Sequence, residues 1–443
     1  IINGVQLNSG IKKTAVFFMF LLFGYIHTKG QTTGIYESYA ILNINSLGNT
    51  FYDLGATTTN PDFNNNNLGI FLSGTNTLNF VGGQNKTFKC SGGNVTGGNI
   101  YYRVYLTSGS GGAFTSLSMG FVSNDAGGCG GNQTWQTTSG TTNIISGLSA
   151  GTYYLEVYTD APGSPSTVYA SNGGLNYKAT FTVVTQLYSK SSGNLELTTT
   201  WGTNTDGSGI NPANFTTAGI TYNVRNNSTP TIGNNWSISG TGSKMVVGDG
   251  TSTCNLTIPS ALNFSTVATD ISNSATITLS STGTISLGTM QVLSGGTYAH
   301  NINAGTIPTA TWNSGSTCII LGMTTTAPGG LGQSFQNFTW NSSGMTGSAQ
   351  LSGALTTVNG TLTVASTGSP TVRELRLATS NGSAYTATFG AIQITGGILT
   401  LIGSGSAGAN TAAVSVTSNI LIGNAGILEL NGGAAAGSVT LNI

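Results

Sequence analysis

Two short stretches hold most of the side chains that could bind a ligand. Asn99 to Thr107 sets Tyr101, Arg103 and Tyr105 against Ile100, Tyr102, Val104 and Leu106, and Gly151 to Thr159 sets Tyr154, Glu156 and Tyr158 against Tyr153, Leu155 and Val157. Tyrosines beside a charge pair suit stacking on sugar rings or docking of a partner. Elsewhere the residues of catalysis are thin. After the first 31 residues the one histidine is His300, too few for a zinc cluster or a His-dependent nucleophile, and its Thr/Asn-rich setting places it at the surface. Glycoside cleavage needs two carboxyl groups roughly 5 to 9.5 Å apart. Glu196, Asp206, Asp249, Asp270, Glu374 and Glu429 are scattered, which leaves such a pair to the stacking of distant segments. Arg373-Glu374-Leu375-Arg376 reads as a solvated strand edge.

Loops that bind ions or phosphates are no better supported. Asn204-Thr205-Asp206-Gly207-Ser208-Gly209 and Gly248-Asp249-Gly250 each have a single carboxylate, and a calcium loop needs several. Turn formation is the better account of both. Gly127-Gly128-Cys129-Gly130-Gly131 lacks the lysine and the following helix of a phosphate cradle. No catalytic residue, metal ligand or cofactor is assigned.

The elements that must position these residues are strands. From Gln31 to about Thr185, alternating segments are separated by turn clusters such as Asn64-Asn65-Asn66-Asn67, and Leu175, Tyr177, Ala179, Phe181 and Val183 form a third alternating run. Several such strands over residues 32–186 predict a β-sandwich. Leu148-Ser149-Ala150-Gly151-Thr152-Tyr153 resembles the tyrosine corner of immunoglobulin-like and fibronectin-like sandwiches, with Leu155 where antibody domains have their second cysteine. That resemblance implies that the two tyrosine-bearing strands are sheet neighbours. Tyr101, Arg103, Tyr105, Tyr154, Glu156 and Tyr158 would then share one outward face. The plainer reading of this face is a solvated surface whose tyrosines serve strand propensity and cross-strand pairing.

From residue 190 to 443 the pattern changes to very short alternating units between Gly, Ser, Thr and Asn turns, for example Ala275-Thr276-Ile277-Thr278-Leu279 and Gly397-Ile398-Leu399-Thr400-Leu401. Units too short to form a sheet alone are stabilised by stacking. An all-β chain is therefore expected, with an Ig-like sandwich followed by a right-handed parallel β-helix. Val246, Ile277, Leu362, Val364, Leu399, Leu401, Leu428 and Leu430 are expected inside, and Thr400 outside. Thr200-Trp201-Gly202, with the Asp206-Gly207 turn and Pro212 behind it, resembles the opening segment of β-helix regions in large secreted repeat proteins of the Bacteroidetes cell surface. Trp201 would cover the first coil. The C-terminal Ser438 to Ile443 reads as an uncapped strand, from which the chain is expected to continue. Thr276-Ile277-Thr278 and Thr282-Gly283-Thr284 raise the idea of threonine rows that bind ice, but such rows do not recur at a regular spacing.

Lys12 and Lys13 precede the apolar run Ala15 to Phe23, and small residues Thr28 and Gly30 precede Gln31, the pattern of a secretory leader over residues 1–30. The run is too short to span a bilayer. Without Lys12, Lys13 and Lys29, nine basic residues face twelve acidic ones, which offers no field to nucleic acid or anionic membrane. In an oxidising compartment Cys90 and Cys129, both in the sandwich, are expected to pair. Cys254 and Cys318 fit either neighbouring coils or buried free thiols. The function expected is a secreted or cell-surface, adhesin-like structural protein without catalysis, its partners extracellular polysaccharide or other surface proteins. The alternative is a polysaccharide-binding or polysaccharide-degrading β-helix.

Overall fold

The computed structural model describes residues 32–443 apart from 91, 128, 130, 369–371, 380–383, 404–410 and 433–437. The leader expected over residues 1–30 lies outside the described residues. Among those residues the regular structure is strand, with two single turns of 3-10 helix at Asn172–Gly174 and Thr198–Thr200. No described helix is long and apolar enough to cross a membrane. The chain forms two compact units, one taking in residues up to 70, 76–147 and 151–182, the other 71–75, 148–150 and 183–443.

In the first unit, Asn49–Asp53, Thr33–Ile44, Leu78–Lys89 and Asn132–Thr137 lie side by side, while Gly98–Leu106, Gly151–Ala161 and Tyr177–Val184 form a second run of neighbours. The strand Thr115–Asp125 joins the two runs. Its first half pairs with Gly98–Tyr102, and beyond Met119 it pairs with Asn132–Gln136. The two layers meet through stacked Phe80 and Tyr102, 4.0 Å between centroids, and through fully buried Ile41, Leu42, Leu155 and Phe181. Buried polar groups also bridge the layers: Ser38 Oγ and Thr159 Oγ1 lie 2.8 Å apart, and Asn85 Nδ2 donates to the Asp160 carbonyl. This is a β-sandwich. Cys90 and Cys129 form a disulfide, as expected. Leu175 does not belong to the third strand; it is 73% exposed after the Asn172–Gly174 turn, and the strand starts at Tyr177.

The second unit is a β-solenoid of about eight turns over residues 221–442. Lys244–Val247, Cys254–Ile258 and Phe264–Thr266 follow one another around a coil, and Ala268–Ile271 then pairs in parallel with Lys244–Val247. Three ladders result, because the rest of each coil supplies the long connection that parallel pairing requires. One inward column of the ladder that starts at Cys254–Ile258 reads Leu256, Ile277, Tyr298, Cys318, Phe338, Leu362 and Ile392, each no more than 1% exposed. Trp201 is fully buried against Tyr222 and Trp236, and its indole N–H donates to the Leu195 carbonyl at 2.8 Å, so the expected cover for the first coil is in place.

Several inward and outward assignments change. Val246 shares its register position with Asn223 and Asp270 on the outer side, while Met245 and Val247 are the buried pair. Leu430 is 48% exposed. Thr400 keeps its outward register position beside Arg376 and Glu429 but is fully buried there, with its hydroxyl 2.8 Å from Glu374 Oε2 and 3.2 Å from Glu429 Oε2. Thr400→Asp, which an exposed outward position would tolerate, would instead place a third carboxylate beside two others out of water. His300 is also buried, not superficial. Cys254 and Cys318 are both buried free thiols; Cys254 pairs with Ala275, and the strand holding Cys318 lies two further coils along.

Candidate functional site: tyrosines around a buried ion pair

Gly98–Leu106 and Gly151–Ala161 are antiparallel neighbours, with Tyr101 opposite Tyr158, Arg103 opposite Glu156, and Tyr105 opposite Tyr154. All six side chains expected to share a face do so. Period-two alternation puts them there, because Ile100, Tyr102, Leu155 and Val157 fill the core on the other side. Cross-strand contact follows from that register. Tyr101 and Tyr158 stack with centroids 4.4 Å apart and planes 6° from parallel, and Tyr105 tilts against Tyr154 at 5.7 Å.

The charged residues are not the solvated pair of the plainer reading. Glu156 is 2% exposed. It accepts two bonds from Arg103 Nη2, at 2.9 and 3.0 Å, and one from Nε at 3.1 Å. It also accepts from Tyr105 Oη at 2.6 Å and Asn176 Nδ2 at 2.7 Å. Burial pushes the Glu156 carboxyl up, but the bonds from Asn176, Tyr105 and Arg103 outweigh it and hold the group below the ordinary carboxylate range. Burial and the neighbouring carboxylate push the Tyr105 phenol up to about 12. The Arg103 guanidinium lies over the Phe114 ring at 4.2 Å and donates to the Gly112 carbonyl at 2.9 Å. The loop can close this tightly because residue 111 is glycine; a Cβ there would come within 2.5 Å of the guanidinium.

A second carboxylate extends the face. Asp160 accepts from Asn99 Nδ2 at 2.8 Å and from Tyr101 Oη at 3.1 Å, and burial followed by this bond pushes the Tyr101 phenol up to about 12. Opposite Asp160, on the short strand Val168–Ala170, stands Tyr169, 61% exposed. Sequence reasoning passed over Asp160 and Asn99, although both continue the alternation that found Tyr158 and Tyr101. Phe114, Asn176 and Tyr169 come from other segments, and only the fold brings them in. The result is a rigid aromatic surface with tyrosines fixed by buried charge and one tyrosine left open to solvent.

The solenoid offers other groupings. Asp249 Oδ1 accepts from the amides of Thr251 and Ser252 at 2.8 and 2.7 Å, bonds that hold its carboxyl down at about 2 and close a turn. Asp206 likewise accepts from the Ser208 amide. A hollow of about 340 Å³ beside Asp249 includes Arg225, whose guanidinium lies on the Tyr188 ring at 4.3 Å and donates to the Thr205 carbonyl. Stacking does bring two carboxylates together, Glu374 and Glu429 around Thr400. Glu374 is paired with Arg376 at 2.8 Å, and these two side chains are only 14% and 16% exposed, so the expected solvated edge is a packed one. The hydrogen bond from Arg376 is the main cause holding the Glu374 carboxyl below its ordinary range. Among the described residues, no three His, Cys, Asp or Glu side chains gather as metal ligands would.

Fold and site together define an all-β protein that joins a sandwich with an ordered aromatic face to a parallel β-solenoid. No family model, curated protein or solved structure matches the chain.

Proposed function

We propose that the chain is an exported, adhesin-like structural protein of the cell surface, in which the solenoid is a stalk and the sandwich a module that binds extracellular polysaccharide. The observation that carries this reading is the order of the aromatic face. Glu156 and Asp160 fix Arg103, Tyr105 and Tyr101, the Tyr101–Tyr158 stack is parallel, and Tyr169 beside it is open. Rings held in place lose little entropy when a sugar stacks on them, and the buried carboxylates act by fixing those rings. The secretory pattern of residues 1–30 and the likeness of residues 190–443 to secreted surface repeats support export.

The rival reading is a polysaccharide-degrading enzyme, and the meeting of Glu374 and Glu429 favours it. Cleavage needs one carboxylic acid with a raised pKa. Glu374 is shifted the other way by Arg376, and the two groups share a buried threonine hydroxyl rather than a water-filled gap. The test is retention of the full chain on neutral and acidic polysaccharides, with product release followed in parallel. Tyr169→Ala and Tyr158→Ala should each weaken retention about five- to thirty-fold, from a stacking contribution of about 1–2 kcal/mol, with the fold intact. Retention unchanged in both variants rejects the sugar face. Release of new chain ends that disappears in Glu374→Gln replaces it with the enzyme.

A further inference from the structure

The outer surface of the ladder that begins at Cys254–Ile258 is a repeating array to which the stalk role assigns nothing. Over the first six coils the position before the inward residue reads Asn255, Thr276, Thr297, Thr317, Asn337 and Thr361, and the seventh coil has Ala391 there. The position after it reads Thr257, Thr278, Ala299, Ile319, Thr339 and Thr363. Over these six coils the first row is unbroken in Thr and Asn, and the second replaces hydroxyl by methyl or butyl carbon at two places. Neighbouring strands lie about 4.8 Å apart and alternate residues about 6.7 Å apart, so the eight threonines among these twelve positions place hydroxyl and methyl groups at points of a two-dimensional grid, interrupted at Asn255, Asn337, Ile319 and the buried Ala299. The first row recurs at intervals of 21, 21, 20, 20 and 24 residues; among many other Thr and Asn residues, the register picks out which of them belong to it.

Three features of this face restrict what it fits. Neither row contains an ionisable side chain, whereas the neighbouring ladder carries the Lys244–Asp270 pair on its outside. An uncharged surface has nothing to steer or hold a charged ligand. No aromatic ring stands in either row; Tyr298, Phe338 and Trp340 are all fully buried on the inner side. A protein partner or a glycan would lack the aromatic or arginine anchors on which such contacts rest. The rows are also held in place. Asn337 Nδ2 donates to the Ser316 carbonyl and its Oδ1 accepts from the Thr361 amide, both at 3.1 Å, on a backbone laddered on both sides.

An uncharged, regular partner with a hydrogen-bond donor and acceptor at every lattice point meets all three restrictions. We infer that this face binds ice. Threonine hydroxyls, each able to donate and accept, join the lattice, while their methyl groups order the intervening water. The inference is independent of the sandwich reading, since no residue is shared.

The test is capture of the full chain by slowly growing polycrystalline ice, beside an inert globular protein of similar size, with recrystallisation of fine-grained ice as a second readout. The native chain should be enriched in ice at least several-fold over the inert protein. The double variant Thr297→Lys with Thr317→Lys should fall to the inert level with its strand signal and melting temperature retained. Gln291→Lys, on the outer side of the neighbouring ladder, should be captured like the native chain. If the lysine pair unfolds, Thr317→Tyr breaks the flatness while keeping strand propensity and should give the same loss. Exclusion of the native chain from ice, or capture that survives a folded row variant, overturns the inference. So does retention on insoluble cellulose or chitin that depends on these threonines, which would make the face a glycan surface.

Discussion

At the scale of single residues, the buried ionisable groups are those that depend most on their partners. Glu156 is tolerable out of water because five hydrogen bonds converge on it, and His300 because it is neutral. His300 Nε2 lies 2.7 Å from the Ala304 carbonyl, which can only accept, so Nε2 bears the proton. Nδ1 then accepts from Tyr298 Oη at 3.3 Å. Burial, the larger influence, lowers the His300 pKa below 6.5, against the opposing pull of the Ala304 carbonyl. The unfolded chain therefore binds a proton near pH 6.5 that the folded chain refuses until lower pH. Stability contributed by the neutral ring is full above that point and falls as pH drops through 6.5. Denaturant unfolding of the solenoid should show a lower midpoint at pH 5.5 than at pH 7.5, and His300→Gln should remove most of the difference. Equal midpoints in the native chain would mean that the ring is solvated.

At the scale of elements, the sandwich is joined by a strand shared between its two layers and by the Cys90–Cys129 bridge. The bridge links the end of Leu78–Lys89 to the turn before Asn132–Thr137, closing a loop over a sequence separation of 39. On the loop-entropy account such a closure stabilises by about 3–4 kcal/mol. Replacing both cysteines by alanine should lower the unfolding free energy of the sandwich by that order, followed through the emission of Trp135, and leave the solenoid transition in place. A loss below about 1 kcal/mol would indicate that the strand ladders alone fix these segments.

At the scale of the whole molecule, the solenoid is quasi-one-dimensional, so disturbance should stay local. Leu399 is fully buried between Leu375 and Leu428 of adjoining coils. Leu399→Asp buries an unpaired charge at a cost of several kcal/mol. Hydrogen exchange should quicken in the strands Glu374–Thr379, Tyr385–Gly403 and Ile420–Asn431, with the coils before Asn337 unchanged. Uniform loss of protection would show that the coils unfold as one unit.

Much of this architecture was legible because alternation is a local property. A period of two in Asn99–Thr107 and Gly151–Thr159 was enough to sort core from surface, and short apolar units between turns were enough to predict stacked coils. The same reasoning failed where neighbours come from elsewhere in the chain. Thr400 alternates as an outward residue, yet Glu374, Arg376 and Glu429 cover it; Asn176 and Phe114 complete the site around Glu156 from turns with no pattern of their own. The threonine and asparagine rows fall between these cases. Their residue types and a spacing of 20 to 24 residues are written in the sequence, but they are lost among the many other Thr and Asn residues of the coils. Only backbone pairing between coils, which depends on strand register and not on distance along the chain, lines them up.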